Sequence, residues 1–290
     1  MKEKRCTYWE CLKKGEAELL AAGIEEASVD AWLLFSESFQ MSRARYYMDR
    51  NQLCDVQCLD QYMEWVRLRA KRIPLQHITG HAPFMGYEFF VNENVLTPRA
   101  DTEVLVEQAF AAIRKQAQPI RVLDMCTGSG CIAVSLACMA QEAGIACEIT
   151  AVDLSREALD VAGKNNHNLC GDRVQLICSN LFEALSDTLE FDIIVSNPPY
   201  IKSGEIDGLM PEVREHEPRM ALDGRADGLY FYRKIAEGGN RFLKDGGTIL
   251  FEIGYDQGRQ VPEILEANGY RQSHVIKDLA GLDRVVMACK

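Results

Sequence analysis

The stretch that decides the fold is RVLDMCTGSGCIAVSLA, residues 121–137. Arg121 to Asp124 is a short apolar run of the kind that sits in the middle of a sheet, and the segment after Gly130 reads as a helix. Between them Gly128, Gly130 and Ala133 keep the Gly-x-Gly-x-x-Gly/Ala spacing, which lets the backbone come close to a ligand. The next strand, EITAVD, ends in Asp153, where a carboxylate can accept both hydroxyls of a ribose. Together the glycine turn and the acidic strand end indicate an adenosine-containing cofactor.

Outward from this centre the chain alternates strands with helical stretches. Strands are expected at Arg121 to Asp124, Ile149 to Asp153, Val174 to Cys178, Asp192 to Ser196, Thr248 to Ile253 and Arg284 to Ala288, which means a mostly parallel, doubly wound α/β sheet. In such sheets ligands bind beyond the carboxyl ends of the strands. DTEVLVEQAFAAI, from Asp101, reads as a helix capped by Asp101 or Thr102. Residues 1–80 form a helical unit: Leu59, Tyr62, Met63, Val66 and Ala70 follow a helical stripe, and Val29, Trp32, Leu33 and Phe39 suggest another. Residues 81–100 read as a β-hairpin linker, and 101–290 as the cofactor-binding domain.

Composition bounds the partners. With 47% apolar and 26% charged residues the chain is ordinary for a soluble globular protein, and no apolar run is long enough to span a bilayer. The N-terminal MKEKRCTYWECLKK is charged throughout, unlike a secretory signal, so the cytoplasm is the expected location. Eleven cysteines in that setting are expected as reduced thiols; none forms a Cys-x-x-Cys pair, so spacing gives no support to a structural zinc site, and Cys54 and Cys58 read as buried helical cysteines. A net charge of −11 repels a phosphate backbone, which disfavours duplex nucleic acid as a substrate. The basic VRLRAKR, residues 66–72, reads as a solvated helix end.

The cofactor could be a nicotinamide dinucleotide or S-adenosylmethionine, and glycine spacing does not separate them. The fourth strand does. It releases into SNPPY, where Asn197, Pro198, Pro199 and Tyr200 offer an amide, stiffened backbone carbonyls and a phenol ring, without the histidine or lysine that a dehydrogenase can use for proton transfer. An amide or exocyclic amine is a weak nucleophile, and the Asn197 oxygen with the Pro198 carbonyl can accept both N–H bonds of an NH2 group, aiming its lone pair at a sulfonium methyl. Tyr200 can position the planar group. Arg99, Thr102 and Glu103 could shape the substrate mouth, with helix capping as the competing explanation, and Glu252 ends the fifth strand near the same rim. No histidine spacing suggests a metal site or nucleophile.

LDMCTGSG, AVDLSREAL, VSNPPYI, PLQHITG, VLTPRADTEVLVE, EPRMALDGRADGL and FEIGYDQG together resemble the HemK/PrmC family of release-factor glutamine methyltransferases, from about Arg72 to the C-terminus. The NPPY tetrapeptide is shared with adenine amino-methyltransferases, the alternative reading; TPRADTE and EPRMALDG are more particular. The resemblance implies a seven-stranded, Rossmann-like class I methyltransferase domain behind a small helical N-terminal domain that recognises the substrate. It also implies methyl transfer from S-adenosylmethionine, leaving S-adenosylhomocysteine, to the glutamine amide of the Gly-Gly-Gln motif in peptide chain release factors. By the same carry-over Cys126, Thr127, Gly128, Ser129 and Gly130 form the cofactor loop and Asp153 takes the ribose. Leu181 and Phe182 lie by the adenine, and Asn197 to Tyr200 hold the glutamine. Cys126 stands where the family usually has glycine, Leu181 where many relatives have an aromatic residue, and Ala100 where the family has proline.

Overall fold

The computed structural model describes residues 6–290, which divide into two compact units. The first runs through Gly80 and takes in Met210–His216; the second comprises His81–Leu209 and Glu217–Lys290.

The first unit is helical: α1 (Tyr8–Ala21), α2 (Ala27–Ser38), α3 (Arg43–Asp49), α4 (Val56–Ala70) and α5 (Leu75–Thr79). Three of these starts carry a short polar side chain that satisfies the free N–H groups of the first turn. Thr7 forms a capping box with Glu10, Ser42 accepts from Arg45 N, and Asp55 accepts from Gln57 N and Cys58 N. The α4 stripe is as expected, with Tyr62, Met63 and Val66 buried and Leu59 and Ala70 half-buried. On α2 the expected Trp32 is buried and Phe39 packs against the same core, but the rest of the inner face is Ala27, Ala31, Leu34 and Phe35, while Val29 and Leu33 are exposed; the run VDAWLLF is apolar on too many sides for its period to select a face. The basic VRLRAKR is only partly a solvated face. Arg69 is buried and reaches Asp30 at 2.6 Å and Glu212 at 3.0 Å, and Arg72 reaches Glu212 at 3.1 Å.

The second unit opens with a hairpin, β1 (His81–Phe84) and β2 (Tyr87–Phe90), turned by Met85 and Gly86 with both φ angles positive. Next come α6 (Ala100–Ile113), β3 (Ile120–Met125), α7 (Cys131–Glu142), β4 (Cys147–Asp153), α8 (Arg156–Asn165), β5 (Val174–Cys178) and β6 (Phe191–Ser196). After α9 (Pro211–His216), which belongs to the first unit, the chain continues through α10 (Arg219–Leu222), α11 (Tyr230–Phe242), β7 (Leu243–Glu252), α12 (Gln260–Ala267), β8 (Arg271–Lys277) and β9 (Asp283–Cys289). Helix α6 is capped by Arg99, without a side-chain bond, rather than by Asp101 or Thr102. Asp101 pairs with Arg284 at 3.1 Å, and Thr102 is turned inward at 2% exposure.

The sheet has seven strands in the order β5-β4-β3-β6-β7-β9-β8, parallel except where β9 pairs with β7 and β8. The residues alone indicated six of these; β8, RQSHVIK, is a bulged, largely exposed edge strand whose polar composition hides its alternation. From β3 the chain moves outward through β4 and β5, then returns to β6 on the other side of β3. The carboxyl ends of β3 and β6 therefore flank the switch point at which such sheets bind ligands.

Gly130 shows how closely the flanking helices pack. It caps α7 at φ +79°, and a Cβ there would lie 3.1 Å from the Ala162 Cβ on α8. Gly130→Ala is expected to lower unfolding free energy by about 1–3 kcal/mol, from backbone strain plus the contact; urea unfolding of the pair measures it, and an unchanged midpoint would show that α7 and α8 can give way.

Candidate active site

The loop after β3 is built by hydrogen bonds between neighbouring strand ends. Thr127 N donates to Val152 O at 3.0 Å, and the Thr127 hydroxyl donates to Asp124 Oδ2 at 2.6 Å. Asp153, at the end of β4, accepts Gly128 N at 2.8 Å and Ser155 N at 2.9 Å, one on each carboxylate oxygen. Each oxygen keeps a further lone pair. Gly128 has φ +56°, and a Cβ built on it would meet nothing within 4 Å, so glycine serves the turn and the open approach rather than packing. Burial raises the carboxyl pKa of Asp153, against its two N–H partners, and pushes the wholly buried Asp124 to about 7.

Cys126 and Leu181, two of the three departures from the family pattern, both occupy the left-handed region, at φ +63° and +49°. That conformation strains a residue with a Cβ and more so a bulky one. Both line a cavity of about 120 Å³ together with Thr127, Gly128, Ser129, Asp153, Asn197 and Pro199. Gly130, Phe182, Pro198 and Tyr200 are not in its lining. Phe182 turns inward, its ring stacked on Phe242 at 5.1 Å with 8° between the planes and packed over Gly238, so of the Leu181–Phe182 pair only the leucine faces the cavity.

The NPPY corner is fixed from several sides. Ser196, last in β6, donates to Met125 O at 2.5 Å, and the two residues are register partners across β3 and β6. The Asn197 amide nitrogen donates to the Thr102 hydroxyl at 3.2 Å. This commits the donor end of the amide to the protein and leaves Oδ1 as an acceptor. Behind the prolines, which are both buried, the Tyr200 carbonyl accepts Gln257 Nε2 at 3.2 Å. A Cβ at Gly224 would lie 2.7 Å from Tyr200 Cα, and one at Gly228 would lie 2.4 Å from Tyr200 O. The EPRMALDGRADGL segment thus supplies two glycines that let it close over the corner, and FEIGYDQG supplies the glutamine that ties it down.

Three of these contacts were not readable from the chain: Thr102 as the partner of Asn197, Gln257, and Glu217. Glu217 is buried and takes Arg99 Nη2 on both oxygens, at 2.9 and 2.8 Å. Only the pairing of local motifs with one another could have suggested them. Arg99 and Thr102 line the cavity, whereas Glu103 accepts Met85 N at 2.7 Å and so closes the β1–β2 turn. Glu252, at the end of β7, lies 3.5 Å from the Tyr200 hydroxyl; its burial pushes its carboxyl pKa to about 7, with Thr102 and Arg284 opposing the rise.

A seven-stranded, doubly wound sheet with a glycine loop after its first central strand, an acidic end on the next and an amide-proline corner at the switch point defines a class I S-adenosylmethionine-dependent methyltransferase. The fold is shared with the T. thermophilus 16S rRNA methyltransferase RsmC in complex with AdoMet and guanosine, at TM-score 0.50 and 18% identity over 72% of this chain and 49% of that one. The family descriptions "PrmC N-terminal domain" and "Methyltransferase small domain" match residues 10–80 and 100–212. The release factor glutamine methyltransferase of Geobacter sulfurreducens is 40% identical over 92% of this chain and 91% of its own. That of Clostridium acetobutylicum is 39% identical over 90% of each. The chain belongs to the release factor glutamine methyltransferase family.

Glu252 gives the site a pH signature. The folded carboxyl keeps its proton to about pH 7 while an ordinary glutamate loses it near 4.5. The folded state thus binds more protons in that window, and stability falls as pH rises through it. Glu252→Gln removes this share while Asp124 keeps its own. Between roughly pH 5 and pH 8 the loss of unfolding free energy is expected to be smaller in the variant, by up to about 3 kcal/mol. Parallel curves from urea titrations would show that the glutamate is ionised throughout.

Proposed function

We propose that this chain methylates the side-chain amide nitrogen of the glutamine in the Gly-Gly-Gln motif of peptide chain release factors, in the cytoplasm. The observation that carries the reading is the Asn197 amide, whose nitrogen is held by Thr102 so that its oxygen is the group offered to an incoming NH2. Among the described residues no helix is long and apolar enough to cross a membrane.

The residues present fit the cofactor. Gly128 leaves space where any side chain would stand, Asp153 keeps acceptor capacity for a ribose, and Leu181 offers an apolar wall for a base. When bound, S-adenosylmethionine supplies an electrophilic methyl on a sulfonium and leaves as S-adenosylhomocysteine. The chain's own part is positioning. Asn197 Oδ1 and the Pro198 carbonyl take the two N–H bonds of the glutamine amide and turn its lone pair toward the methyl. After transfer the nitrogen, still held by Asn197 Oδ1 and the Pro198 carbonyl, would release one N–H proton to solvent. Tyr200, with its hydroxyl pKa raised by burial and by Glu252, stays a neutral donor beside the planar amide. Residues 1–80 are proposed to recognise the release factor.

The adenine alternative uses the same corner but requires a base extruded from a duplex, and a chain of net charge −11 is poorly suited to hold one. Transfer of labelled methyl to a purified release factor, its Gln→Ala loop variant and duplex DNA separates the readings: label is expected on the intact loop alone, and label on DNA would reverse the assignment. Asn197→Ala is expected to raise the activation free energy by roughly 2–4 kcal/mol with little change in cofactor affinity; unchanged turnover would remove Asn197 from the mechanism.

A further inference from the structure

Outside the cavity the most concentrated chemistry lies in the helical unit, where three cysteines distant in sequence meet. We propose that Cys6, Cys11 and Cys54 form a thiolate site for one zinc(II) ion, with solvent as the fourth ligand. Their sulfur atoms all lie within 4.8 Å of one another, and those of Cys6 and Cys54 are 3.3 Å apart. Zinc–thiolate bonds of about 2.3 Å in a tetrahedron place sulfurs about 3.8 Å apart, so closure needs side-chain shifts of about an ångström or less.

The backbone holds the cysteines in place; the Cys54 thiol also donates to Cys6 O at 2.9 Å, a bond it gives up when the metal replaces its proton. Cys54 N donates to Cys6 O at 3.0 Å, Tyr8 N to Gln52 O at 3.1 Å and Trp9 N to Arg50 O at 2.9 Å, around a bridge between Thr7 and Leu53. Cys11 enters from the first turn of α1, its N–H bonded to Thr7 O at 2.9 Å. The arrangement is therefore preformed. Cys11 and Cys54 are buried at 1% and 9% exposure, while Cys6 is half-buried. The side of Cys6 is the way in and the place for the solvent ligand.

The donor set selects the metal class. With three sulfurs and no imidazole or carboxylate in the cluster, the site suits a soft or borderline cation and not magnesium or calcium. Zinc(II) is favoured over copper(I) by charge: three thiolates leave a net −1 around zinc and −2 around copper(I), and the latter is harder to bury. Without metal, burial and the neighbouring sulfurs raise the Cys11 and Cys54 thiol pKa values, that of Cys54 to about 12. Binding accordingly exchanges three S–H protons for three S–Zn bonds, with no change of oxidation state. Cys58, close to Cys54 in sequence, lies outside the cluster. The cluster joins residue 6 to residue 54 and is invisible to any local motif.

The test uses the full chain, reduced and stripped with a chelator, titrated with cobalt(II) and then zinc(II). One equivalent of cobalt is expected to give the visible absorption of a tetrahedral thiolate complex, which zinc abolishes, with three protons released per zinc in weak buffer. Cys54→Ser and Cys6→Ser should each weaken binding by about 100-fold, and Cys178→Ser, at an exposed site elsewhere, should leave it unchanged. Cys6→Ser is the decisive variant because its half-buried position spares the core. No saturable cobalt spectrum, or one that survives Cys6→Ser, overturns the proposal. Neither readout depends on methyl transfer, so failure here and failure of the enzymatic reading are told apart.

Discussion

Everything at the site depends on the parallel pairing of β3 with β6. These strands are far apart in the chain, yet Met125 and Ser196 face each other in register, and the Ser196 hydroxyl closes on the Met125 carbonyl. That one register sets the cofactor loop and the NPPY corner side by side. A slip of one residue would turn Ser196 and Asn197 to opposite faces and break the geometry at once. Both strands are buried on both sides, with Val122, Leu123, Ile193 and Ile194 all at 0% exposure, so the core itself forbids the slip.

Two of the eight non-glycine residues with positive φ among the described residues lie at this same place. Cys126 and Leu181 hold left-handed backbone conformations that glycine would adopt without penalty, and both face the cavity. Each conformation costs on the order of 1 kcal/mol or more. The surrounding bonds over-determine them: Thr127 is tied to Val152 and Asp124 immediately after Cys126, and Phe182 is pinned on Phe242 immediately after Leu181. The left-handed turn at Leu181 is what sends successive side chains in opposite directions, one to the cavity and one to the core.

The cofactor loop, the acidic strand end and the amide corner were legible because each is a local motif whose meaning comes from spacing. The same reasoning could not find what holds them. Thr102 reaches Asn197, Gln257 reaches Tyr200, and Glu217 reaches Arg99 across 95, 57 and 118 positions of sequence. Polar residues that serve distant partners look the same in the chain as residues that serve water. The first unit shows the complementary failure. Arg69 belongs to a basic run that reads as solvated, yet Asp30 and Glu212 draw it into the core, where removing one partner would leave the others charged and buried.

The placement of charge gives these contacts a common logic. Methyl transfer from a sulfonium disperses a positive charge, so a carboxylate beside the reacting atoms would hold the ground state more tightly than the transition state and slow the reaction. The hydroxyl that holds the Asn197 nitrogen, the two prolines and Tyr200 carry no formal charge, and the carboxyl that hydrogen-bonds with Asn197 and Thr102, that of Glu252, is pushed by burial toward its protonated form. Of the other carboxyls, Asp153 holds the backbone of the loop and Glu217 is neutralised by Arg99. A chain with eleven more acidic than basic residues has to keep its corner uncharged by construction, and the long-range bonds that sequence could not reveal are the means by which it does so.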